Sequence, residues 1–162
     1  MLISELMVHE LPGEAQMTRR LLERIPDDKL GWKPSADLHT IGWNASHLLE
    51  TLSWVPGVVS GSEWDIAPVG CEPFTMVEAK STSELLQSFD SNVANAITAL
   101  RGVTNAVMFE DWSLKMGGQT LFTMKKGDCI RKWVFSHSAH HRGILSAYLR
   151  LAGLQFTSIY EE

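Results

Sequence analysis

The segment Ser136–Gly153, SHSAHHRGILSAYLRLAG, places three histidines within five positions of a stretch that otherwise reads as an amphipathic helix. At about 100° per residue, His141 falls roughly 40° from His137, with Ile130, Val134 and Tyr148 on the same side and Trp133 and Ile144 within about 40° on the other. Imidazoles therefore occupy the stripe that should face a core. His140 lies about 60° to the other side, at the edge of that stripe. The helix containing this run is expected to start near Asp128 as N-cap and to continue to about Ala152, before Gly153.

Working outward, three further segments show helical periodicity. From Leu2 to Ile25 the apolar residues recur at helical spacing, interrupted by Pro12-Gly13, so a helix either kinks there or begins at Pro12. A second helix is expected from Thr40 to Gly61 with Pro56 inside it, and a third from Ser81 to Gly102. Ser81 and Glu84 have capping-box spacing, and Leu85, Phe89, Val93, Ala96 and Leu100 form the stripe. Residues 62–80 hold two prolines and a glycine without sustained period, and they read as a long crossing connection. Gly117-Gly118 separates two short runs of strand formers, which suggests a small hairpin ahead of the last helix. The expectation is an all-α fold, a four-helix bundle with a long crossover connection, in a single domain spanning residues 1–162.

Composition removes several classes of function. The chain has 162 residues, 44% hydrophobic and 20% charged, with a net charge of -5. An acidic balance offers no clustered basic surface for phosphates, so no nucleic-acid partner is expected. The short basic pairs Arg19-Arg20 and Lys125-Lys126 read as solvated helix and loop positions. The first residues lack a cationic start and an unbroken apolar run, and no window reaches the roughly 18 apolar residues of a membrane span, so no membrane partner and a cytoplasmic location are expected. Cys71 and Cys129 lack C-x-x-C spacing and read as free thiols.

The remaining chemistry lies with the histidines. On the second helix His47 aligns with Thr40, Trp43, Thr51, Trp54 and Val58, so it also faces inward. Clustered charged imidazoles would be prohibitive in a core, whereas neutral ones are good ligands for Zn²⁺, Ni²⁺, Cu²⁺ or Fe²⁺ and poor ones for Mg²⁺ or Ca²⁺. His137 and His141, at i and i+4, could reach one ion, and His47 from a facing helix would complete a three-nitrogen set. A lone inward histidine is more often a hydrogen-bonded core residue; only the three together bring the metal reading level with it, so the residues themselves leave both readings open. A zincin is excluded because Ser138 stands where H-E-x-x-H requires glutamate. His9 and His39 read as exposed or capping residues, and Trp32, Trp43, Trp54 and Trp133 as core or as walls of a substrate pocket. Glu50, one turn beyond His47, is a candidate base or orienting carboxylate. Arg142 is a candidate for pairing with a carboxylate or a substrate anion, and Gly143 for close helix approach.

Residues 25–50, IPDDKLGWKPSADLHTIGWNASHLLE, followed by residues 137–154, HSAHHRGILSAYLRLAGL, resemble the DinB/YfiT-like superfamily of metalloenzymes. The likeness covers about residues 14–60 and 128–154. It implies a four-helix bundle with a crossover and a divalent metal, commonly zinc or nickel, held at His47, His137 and His141. It also implies a homodimer acting on a small-molecule substrate. The activities implied are transfer of a low-molecular-weight thiol, which would be a cosubstrate, or metal-dependent hydrolysis. The competing reading is a non-catalytic stress-related or scaffold bundle whose metal, if present, is only structural.

Overall fold

The computed structural model describes residues 2–155 together with Ser158 and Tyr160. Four long helical stretches carry the core: α1 (Ile3–Leu22), α2 (Ile41–Ser60), α3 (Thr82–Leu100) and a composite last stretch. The chain also forms a short strand β1 (Glu63–Asp65), a single turn α4 (Asn105–Met108) and the strands β2 (Asp111–Met116) and β3 (Gln119–Lys125). The last stretch comprises α5 (Lys126–Cys129), a π-helical segment Ile130–Ser136 and α6 (His137–Leu151).

The helix ends follow from local chemistry. Thr40 Oγ1 accepts the Trp43 N–H at 3.0 Å, and Ser81 Oγ accepts that of Glu84 at 3.1 Å, each satisfying a donor the first turn leaves free. Helix α1 runs on through Pro12, so neither a start at that proline nor a break is found. Asp128 is not the N-cap of the last stretch; the helix already begins at Lys126 after extended Lys125. Within that stretch the His137 N–H bonds the Lys132 carbonyl, five residues back, so the expected uninterrupted α-helix contains a widened turn just before the histidines. His137 and His141 both lie beyond it, where α spacing holds.

Side-chain contacts define the directions of the helices. Thr82 N–H donates to Asp27 Oδ1 at 2.7 Å, while Ser4 Oγ donates to the Val103 carbonyl at 2.7 Å, so α1 and α3 are antiparallel. The Gly42 N–H meets the Leu30 carbonyl at 2.8 Å, turning α2 back along α1. A Cβ at Gly42 would stand 3.0 Å from that oxygen, which is why the tight entry needs glycine. Helices α2 and α3 thus run the same way, and residues 61–81 must cross the length of the bundle. His141 against Asn44, Ser138 against Thr51 and Lys126 against Val59 make the last stretch antiparallel to α2.

The all-α expectation is corrected by a three-stranded sheet in the order β1-β2-β3. Strands β2 and β3 form the foreseen hairpin, its turn made by Gly117 and Gly118 at φ 61° and 77°, the left-handed values a tight twisted hairpin requires. Strand β1, inside the crossover, pairs parallel to β2. Three residues are too few to show an alternating pattern, and Asp65 anchors them by accepting the N–H groups of Gly117 and Gly118 at 3.0 and 2.7 Å. Lys126 is also corrected: it is buried, with Nζ donating to Glu110 Oε2 at 2.8 Å and to the Val59 carbonyl at 3.1 Å. Gly143 is exposed and a Cβ there would meet no atom within 4 Å, so it serves no close approach. The buried apolar side chains form one contiguous core. Among the described residues no helix is long and apolar enough to cross a membrane.

Candidate metal centre

The antiparallel pairing of α2 with α6 brings His47, His137 and His141 together, each offering one nitrogen within 4.8 Å of the others. His47 Nε2 lies 2.9 Å from His137 Nε2. Nitrogens on one tetrahedral ion at about 2.0–2.1 Å stand roughly 3.4 Å apart, a separation these values bracket. The donor set therefore fits a borderline divalent cation, and nothing about it suits a hard oxygen-seeking one.

Two of the three rings are held by outer partners that decide which nitrogen is free. His47 Nδ1 donates to Glu50 Oε2 at 2.9 Å, leaving Nε2 as the lone-pair nitrogen beside His137. The other oxygen of Glu50 accepts the Trp54 indole N–H. On the far side, Asn44 Nδ2 donates to the Thr40 carbonyl at 2.9 Å, which orients the amide so that Oδ1 can accept from His141 Nδ1 at 3.3 Å. The lone pair of His141 is thus on Nε2 as well. Thr51 Oγ1 and Ser138 Oγ, 3.1 Å apart, tie the two helices beside the cluster.

The electrostatics keep His137 and His141 neutral. Burial pushes the His141 pKa down to about 3, aided by the like charges of His47, His137, His140 and His39. Burial also lowers the pKa of His137, again with His47 and His140 in support and Glu50 in opposition. A neutral imidazole is the ligand form, so protons compete weakly with a cation here. Trp43 stacks on His47 with centroids 4.9 Å apart and on His39 at 3.6 Å, while Trp133 lies 5.6 Å from His137. These two tryptophans wall the cluster.

The other candidates are placed less centrally. Glu50 touches His47, but both its oxygens are engaged. Arg142 is buried and turned to α1, its guanidinium donating to Glu14 Oε2 at 2.5 Å and to Thr18 Oγ1 at 3.2 Å. It is not brought to the histidines. His140 is exposed, as are His9 and His39, and Thr40 rather than His39 caps α2. Cys71 is exposed and Cys129 buried, both unpaired as free thiols. Asn44 was not foreseen as a site residue. A polar side chain one turn before His47, on the inward face, was the signal that could have found it.

A helical bundle with a crossover, capped by a small sheet, brings three imidazoles close enough together to bind a metal ion, and so defines a class of histidine-bearing bundle. The chain belongs to the DinB superfamily, whose sequence pattern matches residues 11–145. Its fold is similar to that of a DinB-like protein, YjoA, from Bacillus subtilis, at 16% identity and a TM-score of 0.69, covering 96% of this chain and 97% of the other. It is also similar to a DinB-like protein from Bacillus cereus, at 18% identity and a TM-score of 0.66, covering 91% of each. No protein of curated function matches.

Proposed function

We propose that this chain is a divalent-metal-dependent S-transferase, with Zn²⁺ or Ni²⁺ held by His47, His137 and His141. The supporting observation is the fixed tautomer of His47 and His141, whose outer nitrogens are engaged while the inner ones converge. When bound, the ion supplies the Lewis acidity that ionises a low-molecular-weight thiol at neutral pH. His47 and His141 hold their rings through Glu50 and Asn44, and Trp43 and Trp133 limit water on two sides. The thiol sulfur attacks an electrophilic carbon of the small-molecule substrate, a C–S bond forms, the leaving group departs with its electron pair, and the thiol proton passes to solvent.

Thiol transfer is favoured over hydrolysis by the state of Glu50. Base-assisted attack by water needs a carboxylate free to take a proton, and both oxygens of Glu50 are occupied by His47 and Trp54, whereas a thiol acidified by the ion loses its proton to solvent without a protein base. The nucleophile is exogenous, because Cys129 is buried with its thiol pushed up to about 12 and Cys71 lies in the crossover, outside the histidine cluster. The test is elemental analysis of protein purified without chelator, followed by a panel of thiols with electrophiles and a parallel panel of esters and amides. Near-stoichiometric metal, lost in His47→Ala and His141→Ala, together with thiol conjugation is expected. No metal uptake on adding Zn²⁺ or Ni²⁺ overturns the reading, and ester or amide turnover without conjugation replaces it with hydrolysis.

A further inference from the structure

Between the C-terminal half of α2 and the small sheet lies a cavity of about 270 Å³ to which four parts of the chain each contribute an aromatic ring: Trp54 from α2, Trp64 from β1, Trp112 from β2 and Phe74 from the crossover. Trp112 is buried, Trp54 and Trp64 are half-buried and Phe74 is exposed, so the wall grades from the core to solvent. The rings stand nearly at right angles: Trp54 and Trp64 at 89° with centroids 5.3 Å apart, Trp64 and Phe74 at 73° with centroids 5.0 Å apart. Neither pair is stacked, so in each the ring that offers its edge keeps both faces clear of its neighbour. A ring face carries the negative side of the quadrupole, where a cation is attracted. The chain seats Arg131 over Phe135 and Lys132 over Trp133, both outside this wall. Among the described residues no lysine or arginine lines the cavity, and the one charged residue that does is Glu63, an anion.

We propose that this cavity is an aromatic cage for the quaternary ammonium group of a small molecule. The rings attract the positive charge, and the chemistry of the wall selects the kind of cation. A primary ammonium carries three N–H donors and needs an acceptor for each once it leaves water. Apart from the indole N–H groups, the polar side chains on this wall are Glu63 and Ser53 alone, too few to replace that water. A quaternary ammonium has no N–H to satisfy and spreads its charge over methyl groups that pack against rings. Glu63 adds to the attraction: Lys115 Nζ donates to its Oε2 at 2.6 Å, while Oε1 has no donor among the described residues. The net charge of -5 favours approach of a cation as well. The Trp54 indole N–H donates to Glu50, which fixes how that ring stands in the wall. The cage does not rest on the metal-dependent reading, since Trp54 is seven residues beyond His47, about 10 Å along the helix.

The test follows the tryptophan indole N–H resonances of the full chain during titration with three probes: choline, its uncharged carbon isostere neohexanol, and ethanolamine, which has the same alcohol on a primary ammonium. Choline is expected to give saturable shifts at Trp54 and Trp64. Neohexanol, of the same shape without the charge, and ethanolamine, with the charge but three N–H groups, should each bind at least about 10-fold more weakly. Phe74→Leu keeps an apolar wall and removes one ring; choline affinity should fall about 5-fold while neohexanol affinity stays within about 2-fold. Glu63→Gln should weaken choline about 3-fold and leave neohexanol unchanged. Phe74 and Glu63 are both exposed, so these variants should fold. Absence of saturable choline binding, choline held no tighter than either comparison probe, or choline affinity unchanged in either variant overturns the proposal.

Discussion

Asn44 Oδ1 stands 3.3 Å from His141 Nδ1, and the same amide donates from Nδ2 to the Thr40 carbonyl at 2.9 Å. The residue that starts α2 is thereby linked to the tautomer of a histidine on α6. Replacing Asn44 with leucine frees His141 to rotate and to protonate Nε2. Metal affinity should fall about 10- to 100-fold, as read by competition with a chromogenic chelator. Asn44→Asp, which keeps an acceptor at that place, should recover most of the loss.

Glu50 bridges His47 and Trp54, so it is a positioning residue for His47. Glu50→Gln should weaken metal binding by about 10-fold while leaving kcat of the fully loaded protein within a few-fold of the parent. A loss confined to kcat, with a flattened pH profile and unchanged metal affinity, would assign Glu50 to general base catalysis instead.

In the metal-free protein, acid should destabilise the fold through the buried imidazoles. The His141 pKa is near 3 when folded, against about 6.5 when unfolded, so the unfolded chain binds more protons between those values. The contribution of His141 to stability is fully present above about pH 6.5 and is lost as pH falls toward 3, and His137 shifts in the same direction. Melting temperature measured across this range should decline with acidification. His141→Leu should flatten the decline.

Arg142 pairs α6 with α1 through Glu14 and Thr18, with its side chain 4% exposed. Arg142→Met should cost about 2 kcal/mol in urea denaturation, since it leaves a partly buried carboxylate and hydroxyl without their donor. Metal stoichiometry should not change, because the guanidinium faces away from the histidines. Loss of metal in a folded Arg142→Met protein would contradict that separation.

Gly143 sits exposed within α6, with open space where a Cβ would go. Gly143→Ala should therefore stabilise the protein by about 0.5–1 kcal/mol through helix propensity. A destabilisation would reveal a contact at this face.

Much of this architecture was legible in the sequence because it depends on residues close together in the chain. Thr40 and Ser81 announce helix starts through a side-chain oxygen three residues ahead of a free N–H. The Gly117-Gly118 pair announces a turn that only positive φ can make. The i, i+4 spacing of His137 and His141 places both on one helix face whatever the rest of the fold does. Other features had no such local signature. Strand β1 is three residues long and exists because β2 offers it a partner, and Lys126 is buried because Val59 and Glu110 come to meet it from distant positions. The convergence of His47 on His137, the turning of Arg142 away to α1 and the link from Asn44 to His141 likewise depend on which helices pair and in which direction. Short-range periodicity and capping determined the elements and the faces they present. Only the tertiary packing decided which faces meet, because those contacts join residues about 90 to 130 positions apart, and no local pattern encodes that pairing.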